Sequence, residues 1–262
     1  MKAAVIQKPT VSILMYHQVG RFAAPKNHRA VYCDIRRFKT QMSYLKYSGH
    51  QVISMDDAYK GLFLGKPLPS RPVVLTFDDG YQNFMEYAWP VLQKHGYPAM
   101  VYLISERIGD TASWFEEGKN DKLMDTDTIR QLRRQGVDFG SHTRSHCRLS
   151  QLSAQKQRQE IFDSKTELED LLEEKITAFC YPFGDYTPLT RDLVQEAGYN
   201  HALTCIRGAA NTAFNQFEIP RKAISYGDSL PGFFWKLEIK NARKDKSRHN
   251  PAHVINGCYD RK

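Results

Sequence analysis

"RPVVLTFDDG" (residues 71–80) is an apolar run that stops at two adjacent aspartates and a glycine. Its β-branched residues and short length read as a buried strand. Asp78 and Asp79 then stand side by side where that strand ends. Adjacent carboxylates repel unless water, a metal ion or hydrogen bonds stabilise them. Outward from this strand, apolar runs alternate with stretches of helical periodicity. "VSILMYHQV" (11–19), "QVISM" (51–55), "PAMVYLI" (98–104), "VDFGSH" (137–142), "ITAFCYP" (176–182), "YNHALTC" (199–205) and "FEIPRKAI" (217–224) read as strands.

Helical segments fall between them. Ile35, Phe38, Met42 and Leu45 recur at helical spacing, with Asp34 as N-cap and Gly49 as the stop. Residues 56–65, 81–96 (with a bend at Pro90), 125–136, 153–175 and 187–198 follow the same logic, Ile161, Leu168 and Leu172 facing inward. Strands that alternate with helices argue for a parallel sheet built of βα units. Seven or eight such units in a chain of 262 residues suit a (β/α) barrel. Residues 10–240 read as that single domain. Residues 241–262 read as a basic, loosely ordered tail. "GFFWKLEIK" (232–240) alternates Trp235, Leu237 and Ile239 with charged residues, a strand-like edge element.

Composition narrows the class. A 41% hydrophobic chain of this length can bury a sizeable core. The net charge of +8 is compatible with anionic neighbours, but charge is the sole argument for nucleic acid, and none is expected as a partner. Five cysteines, odd in number, widely spaced and without a CxxC, do not form a disulfide framework and fit a reducing compartment. The N-terminus has no long apolar core or clear cleavage site, and no run reaches transmembrane length. The expectation is a cytoplasmic protein, with a peripheral contact on the inner membrane face. For that contact the aromatic and lysine mixture of residues 232–240 is the candidate patch.

In a parallel barrel, reactive side chains gather at the C-terminal ends of strands. Asp78 and Asp79 occupy such a place, and so do His142 and His146 in "FGSHTRSH" (139–146). Two histidines four apart with one carboxylate form a metal set with positions left open. One aspartate can bind the cation while its neighbour takes a proton from water. The same three ligands alone also fit a non-haem iron oxygenase, but that chemistry has no use for the second aspartate. Trp114 and Phe115 lie in the long loop 105–125, where they can stack on a ring or pin the loop to the core.

"LTFDDG" (75–80), "SHTRSH" (141–146) and "YPFGDY" (181–186), together with the strand "GYPAMVYLI" (96–104), resemble the polysaccharide deacetylases of carbohydrate esterase family 4. The resemblance spans roughly residues 10–225. It implies a distorted (β/α) barrel of about seven parallel strands and metal-dependent hydrolysis of N-acetyl, sometimes O-acetyl, groups on a sugar. Asp79, His142 and His146 would hold the divalent ion, Zn2+ first, with Ni2+, Co2+ or Fe2+ as alternatives. Asp78 would be the general base. Backbone N–H near Phe183, with Tyr181 and Trp114 beside it, would meet the substrate and the oxyanion. The acid histidine, usual near the end of the domain, is absent there. "LMYHQV" (14–19) carries Leu14 and His17 instead, similar to the rotated order of poly-N-acetylglucosamine deacetylases, and makes His17 the acid.

One departure remains. Cys180 stands where the family often has an arginine that orients the base, and a cysteine inside an apolar strand ordinarily just packs. Arg221, after Pro220 at the end of the last strand, is the nearest candidate for the lost charge. The substrate would be an acetylated glycan or a lipid-linked sugar. A glycan-binding module without turnover and a hydrolase of a non-sugar amide are the alternatives.

Overall fold

The computed structural model describes residues 9–114 and 120–244. Phe115, most of the tail from residue 245 onward and residues 1–8 lie outside them. Ten strands run in the order β1 (Ser12–Tyr16), β2 (Gln18–Gly20), β3 (Tyr32–Asp34), β4 (Gln51–Val52), β5 (Pro72–Phe77), β6 (Met100–Leu103), β7 (Asp138–Ser141), β8 (Ala178–Cys180), β9 (His201–Arg207) and β10 (Ile219–Ala223). The helices are α1 (Ile35–Tyr47), α2 (Met55–Phe63), α3 (Trp89–His95), α4 (Thr126–Arg134), α5 (Ala154–Leu172), α6 (Pro188–Glu196) and α7 (Leu230–Phe234).

Seven parallel strands close into a ring. β5 to β10 pair in sequence order, and β1 joins β10 on one side and β5 on the other. Each βα unit returns its strand parallel to the last, so the twisted sheet curls until its ends meet. The first and last strands of the sequence are therefore neighbours. Short β4 pairs with the start of β5, and β2 with β3 forms a separate ribbon.

Side-chain parity makes two cores. Ile13, Val74, Met100, Tyr102, Ala178, Cys180, Leu203 and Ile219 point into the lumen. Their strand neighbours Leu14, Leu75, Val101, Phe179 and Ala202 point out under the helices. Met55, Ala58 and Tyr59 of α2 close the lumen at its base, where Tyr59 stacks on His201 at 5.3 Å. Tyr102 is large enough that β7 must give way. A Cβ at Gly140 would stand 2.6 Å from its ring and 2.9 Å from the Ala178 carbonyl.

Helix starts follow the expected caps. Asp34 accepts from Arg36 N at 2.9 Å, and Thr187 forms a capping box with Thr190. Pro90 is absorbed without a break. It sits in the first turn of α3, after a wide turn over Phe84–Ala88 in which Trp89 N donates to the Phe84 carbonyl. The strand expected over 11–19 is split at His17, and that over 51–55 shrinks to two residues. Residues 232–240 are corrected from strand to helix: α7 runs into a wide turn over Trp235–Ile239. Phe233 and Leu237, one turn apart, are buried against the barrel, so helical spacing wins over the alternation.

Candidate active site

Asp78 and His17 are brought together by the β1–β5 ladder. Asp78 N donates to the Tyr16 carbonyl at 2.9 Å, one residue past both strands. His17 Nε2 then lies 4.0 Å from Asp78 Oδ2, and both residues are buried. Parity carries Val74, Thr76 and Asp78 to the lumen side of β5, and Ile219 and Arg221 to the lumen side of β10. Arg221 accordingly reaches Asp78 with a fork: NH1 to Oδ1 and NH2 to Oδ2, each at 2.7 Å.

The other donors of Arg221 are used as well. NH1 donates to Thr76 Oγ1 at 3.1 Å, NH2 to Cys180 Sγ at 3.0 Å, and Nε to the Thr204 carbonyl at 3.0 Å. All five guanidinium N–H groups thus have acceptors. Burial pushes the Asp78 pKa up, but the charge and bonds of Arg221 outweigh it and hold the carboxyl below its ordinary value. Burial would also favour a neutral Arg221, and Asp78 reverses that, keeping the guanidinium charged. Cys180 does more than pack. Its thiol faces the pair, 3.7 Å from Asp78 Oδ2, and burial pushes it up to about 11, so it stays protonated.

Asp79, His142 and His146 lie beside this pair. One donor atom from each falls within 4.8 Å of the others, and all three residues are buried. His142 and His146 each point Nε2 at Asp79 Oδ1 from 3.3 Å. His142 Nδ1 is 2.7 Å from the Cys180 carbonyl, which can only accept, so Nδ1 carries the ring proton. In the neutral ring, Nε2 then offers its lone pair toward a carboxylate. Both Asp79 oxygens and both His146 nitrogens lack a hydrogen bond of good geometry. Buried carboxylate oxygens and imidazole nitrogens that converge without well-formed hydrogen bonds are what a divalent cation stabilises, and two imidazoles with a carboxylate are a fitting donor set. Asp78, His142 and Cys180 lie equally close. They are a poorer set, because Arg221 takes both Asp78 oxygens and the thiol stays protonated.

The ligand-bearing turns are strained and braced. Asp79, Thr143, His146 and Phe183 all have positive φ, four of the seven such non-glycine residues among those described. His146 N donates to Thr143 Oγ1 at 3.1 Å. Glu160, on α5, holds the rest of the loop: its carboxylate accepts from Arg144 N at 3.0 Å, Ser145 N at 2.9 Å and Ser145 Oγ at 2.7 Å. Glu160 was not legible as a site residue, because it is one charge among many on a solvent-facing helix and touches the histidine loop only through the fold. Asp185, in the quoted motif, had a visible signal; it is buried and accepts from Ser150 N and Oγ.

Aromatic residues wall the site. Trp114 is 4.4 Å and Phe183 4.6 Å from the His146 ring, centroid to centroid, and Arg148 lies over Phe183 at 4.3 Å. Tyr181 is corrected. It follows inward-facing Cys180, so it points out of the lumen. Its N–H donates to the Leu203 carbonyl and its hydroxyl to the Phe217 carbonyl, which leaves neither donor for a substrate.

The sequence profile described as "Polysaccharide deacetylase" matches residues 65–202, more than half of the chain. YxkH of Bacillus subtilis (strain 168), whose name places it among polysaccharide deacetylases, is 28% identical over 228 residues, covering 87% of this chain and 76% of that protein. The poly-β-1,6-N-acetyl-D-glucosamine N-deacetylase of Escherichia coli (strain K12) is 27% identical over 287 residues, which takes in 94% of this chain but spans only 41% of that longer protein. The structure of the Streptococcus pyogenes deacetylase PplD in complex with acetate superposes with a TM-score of 0.77 at 26% identity, covering 88% of this chain and all of that one. His17 and Arg221 fall outside the matched segment and come to Asp78 only through ring closure. The matched segment, more than half of the chain, contains both aspartates, both histidines and the Phe183 turn: the chain belongs to the polysaccharide deacetylase family.

Proposed function

We propose that the chain is a metal-dependent glycan deacetylase that hydrolyses the N-acetyl group of an amino sugar. The observation that carries this reading is the pairing of two separate devices on adjacent residues. Asp79 joins two histidines in a cluster of unsatisfied donors, and Asp78 is fixed by an arginine with no ligand role. A divalent ion held by Asp79, His142 and His146 would supply Lewis acidity toward water and the acetyl carbonyl.

Asp78 is the base. Arg221 keeps it ionised and fixes its plane, leaving its remaining lone pairs to take the proton of the attacking water. His17 is the acid. Burial outweighs Asp79 and Asp78 and holds the pKa of His17 below the ordinary imidazole value, while those carboxylates favour the imidazolium that must protonate the leaving nitrogen. Trp114 and Phe183 exclude water and offer flat faces to a sugar ring. Relatives named for poly-β-1,6-N-acetyl-D-glucosamine support a β-linked N-acetylglucosamine polymer as the substrate class.

The test is acetate release from N-acetylated β-1,6-glucosamine oligomers, before and after chelation. Release that chelation abolishes and Zn2+, Co2+ or Ni2+ restores is expected. A metal-loaded protein that frees no acetate from any N-acetylated oligosaccharide overturns the reading.

A further inference from the structure

The segment after β10 is apolar on both faces. Phe233 and Leu237 are buried against the barrel, whereas Leu230, Phe234, Trp235 and Ile239 are 40%, 43%, 52% and 51% exposed. These four make up half of the eight exposed large hydrophobic residues among those described, gathered in ten consecutive positions. A segment with apolar side chains on two opposite faces belongs between two apolar partners, and the barrel supplies one. Tyr47 extends the face. It is 84% exposed on α1, one turn beyond Tyr44, whose ring meets Phe234 at 6.4 Å.

Charge selects the second partner. The acids of the segment are neutralised internally. Asp228 pairs with Lys236 at 2.6 Å, and Glu238 pairs with His50 at 3.1 Å and with Arg71. The chain then continues from Ile239 into Lys240, Arg243 and Lys244, with no acid between them. Exposed tryptophan, tyrosine and aliphatic side chains next to a basic run combine the two signals that hold a protein at an anionic bilayer surface.

We infer that this face docks peripherally on an anionic lipid bilayer. The test is co-sedimentation of the full chain with vesicles of phosphatidylcholine alone or mixed with phosphatidylglycerol. Binding to the mixed vesicles should exceed binding to the neutral ones at least tenfold and fall steeply with salt. Phe234→Ser with Trp235→Ser should weaken it at least tenfold, with unchanged circular dichroism and unchanged turnover of a soluble glycan. Lys240→Gln with Lys244→Gln should flatten the salt dependence. No binding by the wild-type chain, or equal binding by the Phe234/Trp235 variant, overturns the inference. So does a dimer that the same variant dissolves while vesicles bind neither form, since the face would then belong to a second copy.

Discussion

Replacing Arg221 tests the central geometry. The guanidinium is completely buried, its partner carboxylate is 2% exposed, and the two share a bidentate bond at 2.7 Å. Arg221→Ala leaves Asp78 buried without a cation and strips acceptors Thr76, Cys180 and Thr204 of a donor. Breaking a buried pair from one side costs about 3–5 kcal/mol. Arg221→Lys keeps the charge, but it has three donors for five acceptor contacts and no planar fork.

The sign of the pH effect follows from Asp78. Its folded pKa is depressed, so its contribution to stability is present above the ordinary carboxylate pKa and is lost as pH falls through the folded value. Without Arg221 the largest influence opposing burial is gone, with only the smaller pull of His17 and His142 left, and that pKa rises. The loss of stability, and the acidic limb of kcat/KM, both move to higher pH. Denaturant unfolding at several pH values and a pH–rate profile read the two effects separately. In Arg221→Lys, turnover should drop about 100-fold, within the range of a general-base contribution, while metal content holds. Wild-type stability and an unmoved acidic limb in Arg221→Ala would refute the assignment of Arg221 as the residue that tunes the base.

Three further outcomes are expected. Asp79→Asn should lose both bound metal and activity, whereas Asp78→Asn should keep the metal by elemental analysis and lose about 10²–10⁴-fold in rate; the reverse pattern would exchange the two roles. Glu160→Ala should weaken metal affinity about 10–100-fold by competition with a chromophoric chelator, because the His142–His146 loop loses its three-bond brace, and excess metal should restore turnover. Burial holds His201 down to about 4, so the unfolded chain takes up a proton first as pH falls from about 6.5; on the order of 3 kcal/mol of stability should disappear between pH 6.5 and 4, and acid titration of unfolding in His201→Gln should show a shallower loss.

Much of this site was legible because strands have period two. Val74, Thr76 and Asp78 must share a face, as must Ile219 and Arg221, and ring closure turns those faces inward together. The same rule, applied to "FCYPFG", would have turned Tyr181 outward once Cys180 was placed inward; the motif drew attention away from parity. Residues 232–240 misled for the opposite reason, since Trp235, Leu237 and Ile239 alternate like a strand while burial follows Phe233 and Leu237 at helical spacing. Glu160 left no local trace at all. Its role exists only because α5 packs beside the β7 loop, a contact that no short window of sequence encodes.

The plugged base of the barrel has a consequence for traffic. Among the described residues, Met55, Ala58 and Tyr59, with His201 against Tyr59, close the base of the lumen, which leaves the mouth at the C-terminal ends of the strands as the route to the two aspartates. An acetyl group directed at Asp78 and Asp79 lies deeper than the sugar that carries it. Under the proposed reaction, the deacetylated glycan must clear the opening before acetate can follow. Acetate is then the last product to leave and the one that meets the next substrate on the free protein. Product-inhibition kinetics should show acetate competing with the glycan, and the bare amine product acting noncompetitively.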